Sequence, residues 1–211
     1  MSRRSAYMSL NTLLILLTAV VSFLSFNNHD LFAKMEFNAY LTYHRKQWHR
    51  LFSHALIHAD FMHLLVNMIV LWSFGRIVEA YFTGMFGMQG NYYFLMLYAG
   101  GVVVASLPSL FRHKDNPAYN AVGASGAVSA VLFSAILFEP MSKIYLFFIP
   151  IGIPAFIFGP LYLAYEIYMD KKSQDRVAHD AHYWGAIFGL LFTILVQPKI
   201  VVYFFEQILG F

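Results

Sequence analysis

The chain has 211 residues, 59% of them hydrophobic and only 12% charged, with 22 Phe and 14 Tyr. Soluble domains carry about a quarter charged residues, so this composition excludes an ordinary water-exposed globule. The absence of cysteine excludes a disulfide framework and thiolate metal sites, and a scattered net charge of +3 excludes nucleic acid as a partner.

What remains is an all-α polytopic membrane protein, because the charges cluster between apolar runs near the length of about 20 residues that crosses hydrocarbon. The N-terminal "MSRRSAYMSLNTLLILLTAVVSFLSF" has a basic start and apolar core but no clear small-x-small cleavage site. It reads as a retained first span, 9–26, and not as a cleaved signal. The stretch "NNHDLFAKMEFNAYLTYHRKQWHRLFSH" mixes charges, His and Trp, which suits an ordered interfacial loop. Further spans are expected at 57–81, 91–112, 123–139, 144–168 and 180–205. The fourth is short for a lipid-facing helix and should be surrounded by the others. The fifth contains Pro150, Pro154 and Pro160, so it must be kinked or irregular. The tail "PKIVVYFFEQILGF" either extends the last span or lies along the interface. No repeat or disordered linker divides the chain, which is expected to be one domain over residues 1–211.

Parity makes three distant polar clusters neighbours. Spans two, four and six run in the same direction, so their N-terminal ends share one leaflet. These ends carry His58 and His63, then Ser125, then Asp180 and His182. Sharing Lys and Arg between the two sides puts residues 3, 4, 76, 143 and 199 opposite these clusters and the other nine beside them. By the positive-inside rule the clusters would be cytoplasmic.

Ionisable groups within spans are costly and mark functional sites by default. His63 and Asn67, four apart in "MHLLVNM", share a helix face. Ala181, Gly185 and Gly189 form a small-residue stripe in span six, as do Gly126, Ala130 and Ser134 in span four. Such stripes let helices approach to backbone contact. If they face each other, Ser125 and His182 begin their helices side by side. A serine becomes nucleophilic when a neighbouring base takes its proton, and imidazole is the usual base. His63, Asn67 and the Ser125 backbone N–H, at a helix N-terminus, are candidate donors for the oxyanion. Each feature alone also has a plain reading. "GASG" can be only a packing contact, His63–Asn67 an interhelix bond, and His182 a snorkelling side chain. The joint placement favours chemistry. No third triad member is evident: Asp180 faces away from His182, and Asp60 reads as a cap on span two. The reading is therefore a dyad. His179 is a rival base, and His182 is preferred because it heads the glycine stripe.

These residues resemble the rhomboid family of intramembrane serine proteases. "GASG" at 123–126 is similar to its G-x-S-G, "AHYWGAIFG" to its A-H-x-x-G-x-x-x-G, and "SHALIHADFMHLLVNM" to its second span. "WHR" at 48–50 resembles its W-R loop element with an inserted His. The resemblance implies a six-transmembrane-helix rhomboid-like bundle, with Ser125 as nucleophile and His182 as base. It implies an oxyanion hole of His63, Asn67 and the Ser125 amide, and structural roles for Gly123, Gly126, Gly185 and Gly189. His54 and His58 would support the first loop. Substrates would be single-pass transmembrane proteins reached through the lipid, with a small residue before the scissile bond and no metal or cofactor needed. The protein would sit in a bacterial inner membrane with its site extracytoplasmic, against the charge count, the loop charges instead meeting lipid headgroups. One departure is Ser129, where many bacterial members have a Tyr stacked on the base. Base orientation must then rest on something else. Two other readings compete: a non-catalytic factor that binds transmembrane helices, and a metal-dependent oxidoreductase using "HALIH" and "HDAH" as histidine boxes.

Overall fold

The computed structural model describes residues 8–145, 150–172 and 177–210. Helix α1 (Leu10–Phe26) starts where the Ser9 hydroxyl accepts from the Thr12 N–H. Its buried residues are Asn11, Thr18, Ser22 and Ser25, whereas Leu13, Leu16, Leu17, Val20, Phe23 and Leu24 are exposed. That inside-out amphipathicity suits a lipid surround, where packing and polar contacts hold helices together.

The first loop is ordered, as its composition suggested. It contains α2 (His29–Met35), β1 (Phe37–Asn38), α3 (Ala39–His44), α4 (Arg50–Ser53) and a single 3₁₀ turn at His54–Leu56. Arg50 fastens it, donating from Nη1 to the carbonyls of Ala33 and Glu36 and from Nε to Gln47. Helix α5 (Phe61–Phe86) begins at Asp60, whose carboxylate accepts from the His63 N–H, the capping role anticipated for it. Helix α6 (Gln89–His113) follows after a turn at Gly87. A two-residue strand, β2 (Asn120–Ala121), pairs antiparallel with β1, so the first loop grips the chain immediately before Ser125.

Helix α7 (Ser125–Phe138) is short and central: every residue from Gly126 to Phe138 is buried. Span five differs from its expected extent of 144–168. Residues 143–145 form β3 (Lys143–Tyr145), which pairs with β4 (Gly152–Pro154), and the helix α8 (Ala155–Lys172) starts only after Pro154. Pro154 lacks an N–H group and disfavours the helical region for Ile153, which lies in β4, so hydropathy continues where the helix cannot. Residues 146–149 of that expected span lie outside the described residues. Only Pro160 is inside α8.

Helix α9 (His179–Val196) stops at Gln197–Pro198, short of the expected 205. The tail forms a separate helix, α10 (Ile200–Leu209), turned by 107°. By length and composition α5 and α6 can cross a membrane, and the bent α9–α10 pair makes a third candidate; α1 and α7 are shorter apolar helices. The predominantly helical architecture is as expected, with two small two-stranded sheets in addition.

Candidate active site

The two small-residue stripes do meet. A Cβ placed on Gly185 would come within 2.8 Å of the Gly126 carbonyl carbon and strike its oxygen, and one on Gly189 would come within 2.7 Å of Ala130 backbone atoms. Helices α7 and α9 thus touch backbone to backbone. The Thr193 hydroxyl donates to Ser134 at 2.7 Å further along the seam. The start of α9 is equally close: a Cβ on Gly126 would lie 3.3 Å from the Ala181 carbonyl oxygen and 2.5 Å from Ala105 Cβ. Ser125, Gly126, Ala178 and Ala181 line one small cavity of about 30 Å³, with His54 and Ser106 also on its wall. Only Gly can stand at 126, because α6 and α9 both close on it.

Gly123 has two reasons to be glycine. Its φ is +110°, and a Cβ would lie 2.6 Å from His63 Cε1 and 2.7 Å from Nε2. His63 is therefore pressed against the turn that presents Ser125. His63 and Ser125 are half-buried and Asn67 is buried, its amide donating one N–H to the His63 carbonyl at 2.9 Å. Among the described residues no hydrogen bond joins Ser125 Oγ to His182, His63 or Asn67. Such bonds are often long in unliganded sites and tighten when substrate binds.

The Ser125 turn is held from outside the bundle. Gly123 N–H donates to the His54 carbonyl at 2.9 Å. Ala124 N–H donates to His58 Nε2 at 3.4 Å, which leaves the ring proton on Nδ1, 3.0 Å from the Ser22 hydroxyl. His54 Nδ1 donates to the Arg50 carbonyl at 2.8 Å, and its Nε2 faces Ser106. Burial pushes the His54 ring down to about 4 and the His58 ring to about 3, so both are neutral struts. Each of their ring nitrogens has a polar neighbour within 3.4 Å.

The structure brings in one group that the sequence reading passed over. Glu166 of α8, only 4% exposed, reaches the start of α9. His179 Nδ1 donates to its Oε2 at 2.6 Å, and His182 Nδ1 lies 3.2 Å from its Oε1. The latter contact is off the hydrogen-bond direction, since His182 Nδ1 has no well-formed bond. It is a close approach without a directed bond. One ligand atom each from Glu166, His179 and His182 lie within 4.8 Å of one another, so this trio is also the place where a cation would be held. A lone acid within an apolar run was the available signal. Asp180 turns the other way, as expected, and accepts from the Ser109 hydroxyl at 2.6 Å. Position 129, where the resemblance expected a ring on the base, holds a Ser129 hydroxyl 3.1 Å from Tyr162 Oη of α8.

Comparison with known proteins bears on the family. The Rhomboid domain family model matches residues 45–199, which include the first-loop Arg50, the Ser125 turn and the α9 glycines. The chain is 29% identical over 154 residues to RHOMBOID-like protein 12, mitochondrial, of Arabidopsis thaliana, covering 65% of this chain and 43% of that one. It is 30% identical over 152 residues to Rhomboid protein 1, mitochondrial, of Saccharomyces cerevisiae, covering 69% and 41%. It is 31% identical over 106 residues to the Rhomboid protease GluP of Bacillus subtilis, covering 50% and 18%. The chain thus spans less than half the length of these relatives. Two of them are mitochondrial by name, so the matches lend no support to the bacterial inner membrane expected from the resemblance. With a Rhomboid domain model matching most of its length, this chain belongs to the rhomboid family.

Proposed function

We propose that this chain is a serine endopeptidase that cleaves transmembrane-helix substrates, with Ser125 as nucleophile and His182 as general base. The observation that carries the reading is the α7–α9 seam. Backbone contact at Gly126 and Gly185 sets the starts of both helices together, beside a histidine pressed on Gly123. A Ser125 placed only for packing would not require that crowding of polar groups.

In this reading Ser125 Oγ attacks the substrate carbonyl carbon while its proton passes to His182. The oxyanion meets the Ser125 N–H, His63 and the second N–H of Asn67. His182 returns the proton to the departing amine, and water then opens the acyl-enzyme by the reverse path. Gly123 and Gly126 keep the turn accessible, and Gly185 and Gly189 keep the helices close. No metal or cofactor takes part. The substrates are single-pass membrane proteins entering through lipid. The whole chain acts as one six-crossing domain, α1, α5, α6, α7, α8 and α9 each counting as a crossing, with its site extracytoplasmic in a bacterial inner membrane. Cysteine accessibility across residues 27–55 tests that orientation.

Labelling with a fluorophosphonate tests the chemistry. Wild type should label, Ser125→Ala should not, and His182→Ala should label weakly. Equal labelling of wild type and Ser125→Ala would overturn the protease reading in favour of a helix-binding factor without catalysis. A lost signal in His179→Ala alone would move the base to His179.

A further inference from the structure

The dyad reading leaves the base without a fixed partner. The expected aromatic ring at position 129 is a serine, engaged with Tyr162. Yet an imidazole base must present one particular nitrogen to the serine, and the imidazolium it becomes needs a compensating charge. We propose that Glu166 supplies both, as a positioning residue that turns the Ser125–His182 pair into a Ser–His–Glu array, with His179 as its outer support. The inference rests on the protease reading above.

The geometry divides the carboxylate cleanly. Oε2 takes the His179 Nδ1 proton at 2.6 Å, and Oε1 faces His182 Nδ1 at 3.2 Å. Each oxygen thus serves one imidazole. A small rotation of the His182 ring makes this close approach a directed N–H···O bond, which keeps the proton on Nδ1 and the lone pair on Nε2. When Ser125 attacks, its proton goes to Nε2 and the Nδ1 proton stays in place. The positive charge that forms lies against the Glu166 anion, and no net charge is created in the buried site. Among the described residues, the titratable groups in contact with His182 are His179 on its own helix and Glu166 from α8. Tyr162 lies one turn before Glu166 and faces it, and the Tyr165 ring packs on His179. Glu166 is the carboxylate among them. His179 pins its far oxygen, so it cannot swing from the base. The same trio could hold a cation, but 2.6 Å between two donor atoms is shorter than the roughly 3.3 Å edge of a tetrahedral zinc site with 2.0 Å bonds. It is a hydrogen-bond distance.

The test compares purified full-length variants on a transmembrane substrate, with melting temperatures alongside. Glu166→Gln should lower kcat at least tenfold while KM stays within twofold, and Glu166→Asp should recover much of that loss. Because Glu166 acts through His182, Glu166→Gln placed on His182→Ala should slow residual fluorophosphonate labelling by less than twofold. A kcat within twofold of wild type, or an undiminished further loss on His182→Ala, would overturn the role. If Glu166→Gln does not fold, the wild type decides: with ¹⁵N-labelled histidine, His182 should show a low-field Nδ1 proton resonance that survives His179→Asn and vanishes in His182→Ala. Absence of that resonance overturns the proposal. Activity in Ser125→Ala would instead overturn the protease reading, whereas an inactive Ser125→Ala with a fully active Glu166→Gln would overturn only the role of Glu166.

Discussion

Gly185→Ala is the sharpest perturbation of the seam. The added methyl would meet the Gly126 carbonyl carbon at 2.8 Å and its Cα at 3.1 Å, with the oxygen nearer still. Carbon atoms rest about 3.5–4.0 Å apart, so α9 must withdraw from α7 by roughly 0.7–1 Å. No flexible side chain can yield instead, because all three obstacles are backbone. Overpacking of this kind costs about 1–3 kcal/mol. The activity penalty should be larger in proportion, since about 1 Å of displacement between reacting groups costs on the order of 10²-fold. The assay is the rate of fluorophosphonate labelling beside thermal melts in detergent. Gly189→Ala meets Ala130 one turn further from the site, so it should lose comparable stability but less labelling. Gly84→Ala is the control, having nothing within 4 Å, and in a helix interior it should be neutral or gain up to about 1 kcal/mol. Wild-type labelling and melting in Gly185→Ala would refute the idea that the seam sets the distance from Ser125 to His182.

Two further outcomes concern the turn outside the bundle. His54 and His58 are held below their ordinary value, to about 4 and about 3. The unfolded chain therefore binds protons first as pH falls. Their stabilisation is complete above about pH 6.5 and is lost progressively as pH drops through 6.5 toward 4 and 3, on the order of 3 kcal/mol for His54 alone by pH 4. Melts at pH 7 and 4.5 should show the loss and His54→Asn should flatten it; pH-independent melting would refute it. Gly123→Ala combines a φ of +110° with a clash on the His63 ring, so it should cost about 1–3 kcal/mol and reduce labelling with little change in overall helicity by circular dichroism.

Much of this was legible in the sequence because it depends on local spacing. The stripes Gly126–Ala130–Ser134 and Ala181–Gly185–Gly189 fix which helix faces meet, and parity fixes which ends align. Asp60 could be read as a cap from its place before an apolar run. Span five was read as starting too early because hydropathy does not register the missing N–H of Pro154, after which α8 begins at Ala155. The turn after Val196 follows from Pro198, but its 107° angle comes from how α10 packs, which no local pattern encodes. Glu166 was missed for a different reason. Its partners lie 13 and 16 positions away on another helix, and the sequence does not say which way α8 faces.

The β1–β2 pair separates two kinds of competence. The α7–α9 seam is built from residues of those two helices, without the first loop. The turn carrying Ser125, however, takes its shape from Phe37–Asn38, the His54 carbonyl and the His58 ring. A change in the first loop therefore reaches the Ser125 turn without touching the seam. The contacts that shape the turn join segments about 80 residues apart, so the site depends on a long-range pairing that the helix seam does not supply.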